Sequence, residues 1–371
     1  MFPQLEAGSF STCVESRNRV AVRTLASAGV ALCRSSPLEP RGQTVVVGGR
    51  DAGGLSPGSR MMRPSVVPTL ICSDAAYVQH SAVCLVSLLA NSPDLFFDIV
   101  VVNRPTERLD EHRLRRSLAG FPNHSLAFRQ FSPPADQLFP LNPLAHYTID
   151  TYSRLWVDTF FGSDVERVLY LDGDIVVVGG IAELWHCDLA GNLLGTVDIP
   201  GADRGVERLG MRWEDGYFNA GVLVIDLAQW RDTGATQLVL DYINANPDRV
   251  LYDQDALNAC FHDRRKRLDY KWNAIWPFFG GPMQLPLSDA EIARVRRDAR
   301  IIHYNGGSKP WSYLCDHPRR DEYLKYLKMT EWRNFVPPDR TLVNRLRKLL
   351  AAILPQNVKS FVRAMMPMIG A

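Results

Sequence analysis

Two aspartates separated by one glycine interrupt the most apolar stretch of the chain. Residues Val168 to Val178 read VLYLDGDIVVV, a composition that predicts a buried strand. Two carboxylates are costly to bury without partners, and residues i and i+2 of an extended chain point to the same side. Asp172 and Asp174 can therefore converge on one point, while Gly173 allows close approach to the backbone. Oxygen ligands of this kind suit Mg²⁺ or Mn²⁺, which would neutralise a phosphate-bearing substrate.

The same segment admits two other interpretations. A pair of acids at a strand end can simply make caps and turn hydrogen bonds. Residues Asp172 to Val176 also fit the D-x-D-x-[TV] signature of aspartyl-phosphate phosphatases, in which the first Asp is a nucleophile. That signature belongs on the first strand of its fold, whereas several strands and helices are predicted before Asp172 here. The phosphatase interpretation also leaves the downstream H-x-x-G-x-x-K-P-W unexplained.

Composition narrows the class of protein. The chain has 371 residues, 46% of them apolar and 22% charged, which is enough material for one large domain or two smaller ones. A net charge of +2 gives no nucleic-acid signature. The seven cysteines are scattered and include no C-x-x-C pair, which indicates a reducing compartment without a disulfide framework or zinc site. No apolar run suggests a transmembrane helix or a secretory signal, so we expect a cytoplasmic protein.

The first 64 residues differ from the rest of the chain. They carry many Ser, Gly and Arg residues, few acids and little periodicity, which predicts a disordered or weakly ordered extension. Translation starting at Met61 or Met62, just before the first credible strand, is the alternative that we favour. N-terminal sequencing of the native protein distinguishes the two.

Strands and helices alternate from residue 65 onward, which predicts a parallel sheet with a ligand site beyond the strand C-termini. Asp74 and Tyr77, in the first such loop, then lie where a nucleotide would be held. No G-x-G-x-x-G or G-x-x-x-x-G-K-[ST] is present, which argues against a dinucleotide fold or a P-loop. The predicted elements are a strand at Ser65–Cys72, a helix at Val78–Ala90, a strand at Phe97–Val102, a helix at Glu107–Leu118 and a strand at Leu126–Phe131.

Polar residues recur at the ends of later elements. Arg154 lies on an otherwise apolar predicted helix that begins at Thr151, where it could bind a diphosphate, hold Asp172 or be a surface charge. Asp198 ends a predicted strand, and Asn219 interrupts an apolar run together with Gly221, a residue that suits close backbone approach. Asp253-Gln254-Asp255 stands at the front of a predicted helix, where capping alone favours acids.

Residues Ile301 to Trp311 read IIHYNGGSKPW, a strand followed by a glycine-containing loop. His303 ends the strand, and a histidine there is often only structural. One explanation covers the whole segment: His303 is a third metal ligand, the loop offers backbone N–H groups to a phosphate, and Lys309 supplies a positive charge.

In these features the chain resembles the retaining glycosyltransferases of family 8, which include bacterial lipopolysaccharide galactosyl- and glucosyltransferases and glycogenin. The resemblance extends from Thr69 to Trp311 and rests on the order and spacing of several blocks. These blocks are the Asp74/Tyr77 loop, Thr151-Tyr152-Ser153-Arg154-Leu155, Leu169-Tyr170-Leu171-Asp172-Gly173-Asp174, Phe218-Asn219-Ala220-Gly221-Val222, Asp253-Gln254-Asp255 and His303-Tyr304-Asn305-Gly306-Gly307-Ser308-Lys309-Pro310-Trp311.

The resemblance implies an α/β protein with a GT-A fold, a single nucleotide-binding Rossmann-like domain whose sheet is mixed but mainly parallel. It implies transfer of a hexose, galactose or glucose, from a UDP-sugar to a saccharide or lipid-linked saccharide in lipopolysaccharide or surface glycan synthesis. Mn²⁺, or alternatively Mg²⁺, would be held by Asp172, Asp174 and His303. Donor-binding residues would be Asp74, Tyr77, Arg154, Asp172, Gly173, Asp198, Asn219, Gly306 and Lys309, and catalytic residues Gln254, Asp255 and Asp253. Ala76 departs from the family pattern, which has Asn before the loop tyrosine in one branch.

The route of retention stays open at the level of sequence. Because Gln254 is a poor nucleophile, both front-face attack by the acceptor hydroxyl and movement of a carboxylate such as Asp255 toward the sugar are compatible with the motif. A metal-dependent nucleotidyl- or phosphoryl-transfer enzyme and a non-catalytic sugar-nucleotide-binding protein are the alternative functions.

The chain divides by prediction into the extension, a glycosyltransferase domain at 65–315 and a helical tail at 316–371. From Arg340 onward the tail has six Arg or Lys residues and no acid. Leu342, Leu346, Leu349 and Leu350 share a helical face, which predicts an interfacial contact with the anionic inner face of the cytoplasmic membrane. Packing of this helix on the domain is the alternative. The aromatic segment Trp272 to Phe279 could contact a carbohydrate or belong to the core.

Overall fold

Two β-sheets organise the structure, a computed structural model that describes residues 64–106, 108–134, 137, 149–280 and 284–353. The strands are β1 Ser65–Cys72, β2 Leu95–Asn103, β3 His124–Gln130, β4 Arg167–Leu171, β5 Ile175–Val177, β6 Leu194–Asp198, β7 Phe218–Asp226, β8 Arg265–Arg267, β9 Ala274–Ile275 and β10 Ile301–His303. The helices are α1 Val78–Asn91, α2 Glu111–Leu118, α3 Ala182–Trp185, α4 Asp203–Leu209, α5 Leu227–Asp232, α6 Ala235–Ala245, α7 Asp253–Phe261, α8 Asp289–Asp298, α9 Arg320–Leu327 and α10 Leu342–Ile353. Short 3₁₀ helices lie at Ile149–Thr159, Trp213–Asp215, Tyr270–Trp272 and Trp276–Phe279.

The larger sheet has seven strands in the order β3-β2-β1-β4-β7-β6-β8. Strands β1 to β4 run parallel, β7 is antiparallel to both β4 and β6, and β8 is parallel to β6. The predicted mixed, mainly parallel sheet is therefore confirmed. The smaller sheet, β5-β10-β9, brings the segment after Asp174 beside the strand that ends at His303.

The sequence prediction of one strand through Val168 to Val178 needs correction. Strand β4 ends at Leu171 and pairs with β7, whereas β5 begins at Ile175 and pairs with β10. Asp172, Gly173 and Asp174 form the turn between two strands that belong to different sheets. Asp and Gly favour such a turn, and each flanking strand finds a separate pairing partner. The two acids thus lie at the junction of the sheets.

The core explains why the strands read as continuous apolar runs. In β4, Val168 and Tyr170 pack into a buried cluster on one side of the large sheet, while Leu169 and Leu171 pack into a second cluster with α1 on the other side. A strand covered on both faces needs apolar residues at every position. This burial makes β4 a rigid support for the turn that follows it.

Several predicted boundaries shift in the structure. Helix α2 begins at Glu111 rather than Glu107, because the Asp110 side chain caps it by accepting from Arg113 N at 3.0 Å. The segment predicted as a helix from Thr151 is a 3₁₀ helix with a kink at Trp156. No helix among the described residues is both long and apolar enough to cross a membrane. Residues 1–63, most of the predicted loop at 132–149 and the end of the tail from 354 lie outside the described residues.

Candidate active site

A cavity of about 380 Å³ opens where β1 and β4 end and where the loop after β10 crosses them. Most of the residues singled out in the sequence line it, although they come from distant parts of the chain. They are Asp74, Tyr77, Arg154, Asp172, Gly173, Asp174, Asn219, Asp253, Gln254, His303, Gly306 and Lys309. We refer to this cavity as the inner cavity.

Three of these side chains form a group that can hold a divalent cation. One ligand atom from each of Asp172, Asp174 and His303 lies within 4.8 Å of the others. His303 Nε2 is 3.1 Å from Asp174 Oδ1 and 3.7 Å from Asp172 Oδ2. A Cβ at Gly221 would overlap both the His303 ring and the Asp172 carboxylate, so only glycine permits this approach. Two carboxylates and an imidazole match the ligand preferences of Mn²⁺.

Asn273, which the sequence analysis did not single out, orients His303. Its Oδ1 lies 3.0 Å from His303 Nδ1, and its Nδ2 donates to Asn219 Oδ1 at 2.8 Å. Because an amide oxygen only accepts, Nδ1 donates to it, which leaves Nε2 as the ring nitrogen that faces the carboxylates and would bind a cation. This arrangement suits a cation between them, which supports the fit of the three ligands to a metal ion. A buried Asn amid aromatic residues was the available signal.

Lys309 reaches the Asp174 carboxylate from the loop after β10. Its Nζ lies 2.6 Å from Asp174 Oδ2 and donates to the Tyr304 carbonyl at 2.8 Å. Burial alone would raise the pKa of Asp174, but Lys309 and His303 outweigh it and hold this pKa below its ordinary value. Asp174 therefore keeps its negative charge in the cavity, and Lys309 is held at its edge.

Arg154 joins two acids in the wall of the inner cavity. Its guanidinium lies 3.1 Å from Asp172 Oδ1 and 2.7 Å from Asp253 Oδ2, and it donates to the Ala220 carbonyl at 2.7 Å. Burial raises the pKa of Asp253 to about 6, with Asp172 adding to the effect and Arg154 opposing it. Arg154 is thus a buried support for both carboxylates rather than a surface charge.

The amide of Gln254 is held in one orientation. Its Oε1 accepts from Asn219 Nδ2 at 3.1 Å and from Ala220 N at 3.0 Å, while its Nε2 donates to Tyr217 Oη at 3.1 Å. Tyr217 Oη in turn donates to Asp255 Oδ1 at 2.6 Å. Tyr217 is a second residue that the sequence analysis did not assign to the site. An aromatic residue directly before the Phe218-Asn219 block gave no distinguishing signal.

Asp255 does not line the inner cavity. Its fully buried carboxylate accepts two hydrogen bonds from Arg208, both of 2.8 Å, and one of 2.8 Å from Leu251 N. In a helix, residues i and i+2 point to nearly opposite sides, so Asp253 faces Arg154 while Asp255 faces Arg208. Its grouping with Asp253 as a catalytic residue therefore does not follow from its position.

Asp198 also lies outside the inner cavity. Its carboxylate pairs with Arg265 at 2.7 Å and with Arg267 at 3.5 Å. It lines a neighbouring cavity of about 450 Å³, which we call the outer cavity. Ile199, the next residue, borders both cavities. The structure thus places Asp198 beside the predicted donor position, on the far side of Ile199.

The predicted nucleotide end is built by the loop between β1 and α1. Tyr77 N donates to Asp74 Oδ1 at 2.8 Å, and the Tyr77 ring stands edge-on to Trp311 with centroids 5.7 Å apart. Position 76, where this chain has Ala, is exposed. In the loop after β10, a Cβ at Gly306 would overlap the Trp276 ring, so glycine allows this loop to lie on the indole.

Comparison with known proteins gives a consistent picture. A profile described as glycosyl transferase family 8 matches residues 68–315. General stress protein A of Bacillus subtilis is 28% identical over 75% of this chain and 99% of its own length, and a lipopolysaccharide 1,2-glucosyltransferase of Escherichia coli K12 is 25% identical over 76% and 84%. The crystal structure of the galactosyltransferase LgtC with donor and acceptor sugar analogs is 25% identical with a TM-score of 0.62, covering 74% of this chain and 98% of that one. This likeness confirms the predicted GT-A fold. With the profile matched over more than half of its length, the chain belongs to glycosyltransferase family 8.

Proposed function

We propose that this protein transfers a hexose from a UDP-sugar to a saccharide acceptor with retention of anomeric configuration, in a reaction that depends on Mn²⁺ or Mg²⁺. The observation that carries the proposal is the convergence of Asp172, Asp174 and His303, each supported by a buried partner, on one cavity. Names of relatives, among them a lipopolysaccharide 1,2-glucosyltransferase and a lipopolysaccharide 1,3-galactosyltransferase of Salmonella typhimurium, support glucose or galactose as the hexose.

The chemistry requires stabilisation of a leaving diphosphate. A divalent cation held by Asp172, Asp174 and His303 would act as a Lewis acid toward the negative charge that grows on UDP. Lys309 and the backbone of the Gly306 loop border the same cavity and would contact the diphosphate. Asp74 and Tyr77 would hold the uridine, and Arg154 keeps Asp172 in place. Asp253 would accept a hydrogen bond from a sugar hydroxyl, and Asn219 would donate one to a sugar hydroxyl.

The hydrogen bonds of Gln254 and Asp255 favour front-face attack. In that reaction the bond between the anomeric carbon and the phosphate oxygen breaks as the acceptor oxygen bonds to the same face. The acceptor hydroxyl proton passes to the departing phosphate oxygen. Gln254 Oε1 already accepts two hydrogen bonds, which lowers its nucleophilicity, and Asp255 would have to leave four hydrogen bonds to approach the sugar. Gln254 would therefore contact the sugar without bonding to it.

The test is UDP release from UDP-galactose and UDP-glucose with and without Mn²⁺, in the presence of candidate saccharides. Mn²⁺-dependent release supports the proposal. Binding of UDP-sugars without any turnover would favour a non-catalytic sugar-nucleotide-binding protein. Turnover of a phosphomonoester or formation of a sugar nucleotide, with no release of UDP, would favour the phosphoryl- or nucleotidyl-transfer alternative.

The exposed apolar face of the C-terminal helix α10 supports a location for the reaction at a membrane surface. Its apolar residues Leu342, Val343, Leu346, Leu349 and Leu350 are exposed, Leu342 by 80%. Basic residues accompany them in a segment without acids. Each basic residue near an anionic bilayer contributes about 1 kcal/mol of attraction. We therefore propose that helix α10, within the tail at 316–371 that follows a transferase domain at 65–315, binds the cytoplasmic face of the membrane, where a lipid-linked acceptor for lipopolysaccharide or another surface glycan would be reached. Helix α9, earlier in the same tail, packs Tyr323 and Tyr326 into the core instead.

Removal of residues after Pro338 tests this placement. The truncated protein is expected to stay in the supernatant when sedimented with phosphatidylglycerol vesicles, while the full chain sediments with them at low salt. Replacing only Leu342 and Leu346 by Gln gives a matched variant that keeps every basic residue. Equal sedimentation of all three proteins would contradict the proposed membrane contact.

A further inference from the structure

The outer cavity has a mixed aromatic and charged lining. Trp213, Tyr217 and Tyr270 border it together with Asp198, Asp203 and Arg267. Flat aromatic faces beside a few hydrogen-bonding groups are suited to a sugar ring, whose C–H faces are apolar and whose edge is polar. The outer cavity therefore has the chemistry of a carbohydrate site.

Trp213 is unusual among the tryptophans of this chain. All eight lie in the described part of the chain, and only Trp213 is exposed, by 55%. The structure shows no ring contact for its indole and no acceptor for its Nε1 among the described residues. Asp203, which is also exposed, has no ion-pair partner there. The exposed indole and the neighbouring carboxylate thus leave a stacking face and a hydrogen-bond acceptor open to a ligand.

The turn that carries Trp213 is nevertheless held firmly. Arg265 donates to the Asp215 carbonyl at 2.7 Å, Arg267 donates to the Glu214 carbonyl, and Asp215 Oδ2 accepts from Arg212 N at 2.8 Å. Gly216, with φ of +63°, ends the 3₁₀ helix in a conformation that suits glycine. Since the backbone is fixed before any ligand arrives, little ordering entropy is lost when the indole is covered.

Two residues connect the outer cavity to the inner one. Ile199 borders both, and the Tyr217 side chain lines the outer cavity while its hydroxyl accepts from Gln254 Nε2 in the inner cavity at 3.1 Å. A saccharide bound in the outer cavity would therefore lie next to the position proposed for the donor sugar. This continuity favours the acceptor as the occupant.

We propose that the outer cavity binds the acceptor saccharide, with Trp213 stacking on a hexose ring one or more units away from the reacting hydroxyl and Asp203 accepting a hydrogen bond from a sugar hydroxyl. The proposal rests on the proposed hexosyl transfer for the identity of the occupant. It assigns Trp213 a specificity-determining role. The inner cavity does not need this residue in order to bind UDP.

The experiment compares the full chain with W213A, D203N and, as a matched control, L238A, an exposed apolar residue on α6 that borders neither cavity. All tryptophans are replaced by 5-fluorotryptophan, and the ¹⁹F signal of Trp213 is identified as the one missing from the W213F variant. Methyl β-lactoside and maltotriose are then titrated while this signal is followed. A saturable shift of that signal is expected with at least one saccharide. Among saccharides that accept the hexose, W213A is expected to raise the acceptor KM about tenfold, with a smaller rise for D203N and none for L238A.

The outcomes separate this inference from the proposed function. If UDP is released and transferred but neither the Trp213 signal nor the acceptor KM responds, the outer cavity is not the acceptor site. If no donor is turned over, the ¹⁹F titration still decides whether a carbohydrate binds at Trp213, and no shift with either saccharide overturns the inference. UDP titration by calorimetry verifies that each variant keeps a folded inner cavity.

Discussion

The chain contains two D-x-D segments of identical spacing, and they serve different purposes. Asp172 and Asp174 lie in a turn between two sheets, and both side chains line the inner cavity. Asp253 and Asp255 begin helix α7, and only Asp253 reaches that cavity. A turn can direct both acids to one side, whereas the helical rotation sends residues i and i+2 to nearly opposite sides. The spacing of acids therefore predicts a shared site only when the local backbone conformation is known.

The partners of the four acids differ in the same way. Asp172 and Asp174 have cationic partners but remain at a cavity wall where a ligand can reach them. Asp255 is fully buried, and its described partners are Arg208, the Tyr217 hydroxyl and the Leu251 backbone N–H. The first pair should therefore matter for activity, and Asp255 for stability.

Substitution of Asp174 is the strongest test of this contrast. Asp174→Asn removes a charge from the proposed metal site and is expected to lower Mn²⁺-dependent UDP release by about 10²–10³-fold, the range found when one group that stabilises developing charge is lost. Its free energy of unfolding should also fall, because the amide loses the ionic attraction of Lys309, but by less than in Asp255→Asn, since Lys309 is partly exposed and can turn toward water. UDP release at increasing Mn²⁺ measures the first effect and urea denaturation the second. Unchanged turnover would remove Asp174 from the site.

Asp255→Asn is the matched variant in the helical segment. It leaves Arg208 without its carboxylate partner and is expected to lower the free energy of unfolding by about 3 kcal/mol, as when one member of a buried ion pair is removed. Urea denaturation at neutral pH measures this loss. A variant that stays as stable as the wild type but loses turnover would instead indicate a direct chemical role for Asp255.

Asp253 is expected to support turnover while lowering the stability of the fold. Burial raises the pKa of Asp253 from 3.8 to about 6, so the folded protein takes up a proton more readily than the unfolded chain between those values. Ionised Asp253 therefore destabilises the fold increasingly as pH rises from about 4 to 6, by up to about 3 kcal/mol. Asp253→Asn should be more stable than the wild type at pH 7.5 and equally stable near pH 4, while losing turnover.

Urea denaturation at pH 4, 6 and 7.5 follows this difference. Asp94→Asn, at an exposed position, serves as the control and is expected to track the wild type at every pH. A loss of stability in Asp253→Asn at pH 7.5 would mean that its pairing with Arg154 outweighs the cost of burial.

Tyr217→Phe is expected to have the smallest effect. It removes the hydroxyl that joins Asp255 to Gln254 and frees one side of the amide. We expect kcat to fall about tenfold, the equivalent of one lost hydrogen bond of about 1.4 kcal/mol, with little change in the KM for UDP-galactose. Steady-state kinetics measure both, and Tyr242→Phe on α6 is the matched control. A rise in KM alone would show that Tyr217 serves donor binding.

Much of the inner cavity follows from sequence because its residues stand at the ends of regular elements. Alternating strands and helices predict the mainly parallel sheet, and the polar residue Asp74, in the loop after the first strand, is expected at the C-terminal edge of that sheet. The ligand types at Asp172, Asp174 and His303 indicate a hard divalent cation. These inferences need only local patterns and the rule that parallel strands place their C-termini together.

Other features were decided by the tertiary structure. The turn at Gly173 depends on β4 and β5 pairing in different sheets, and the direction of Asp255 depends on the helical start at Asp253. The hydrogen bond from Asn273 to His303 and the exposure of Trp213 could not be predicted from local sequence, because their surroundings come from segments dozens of residues away. The residue type determines what chemistry a side chain can perform. Its partners and its exposure depend on packing between distant segments, which a local sequence pattern does not contain.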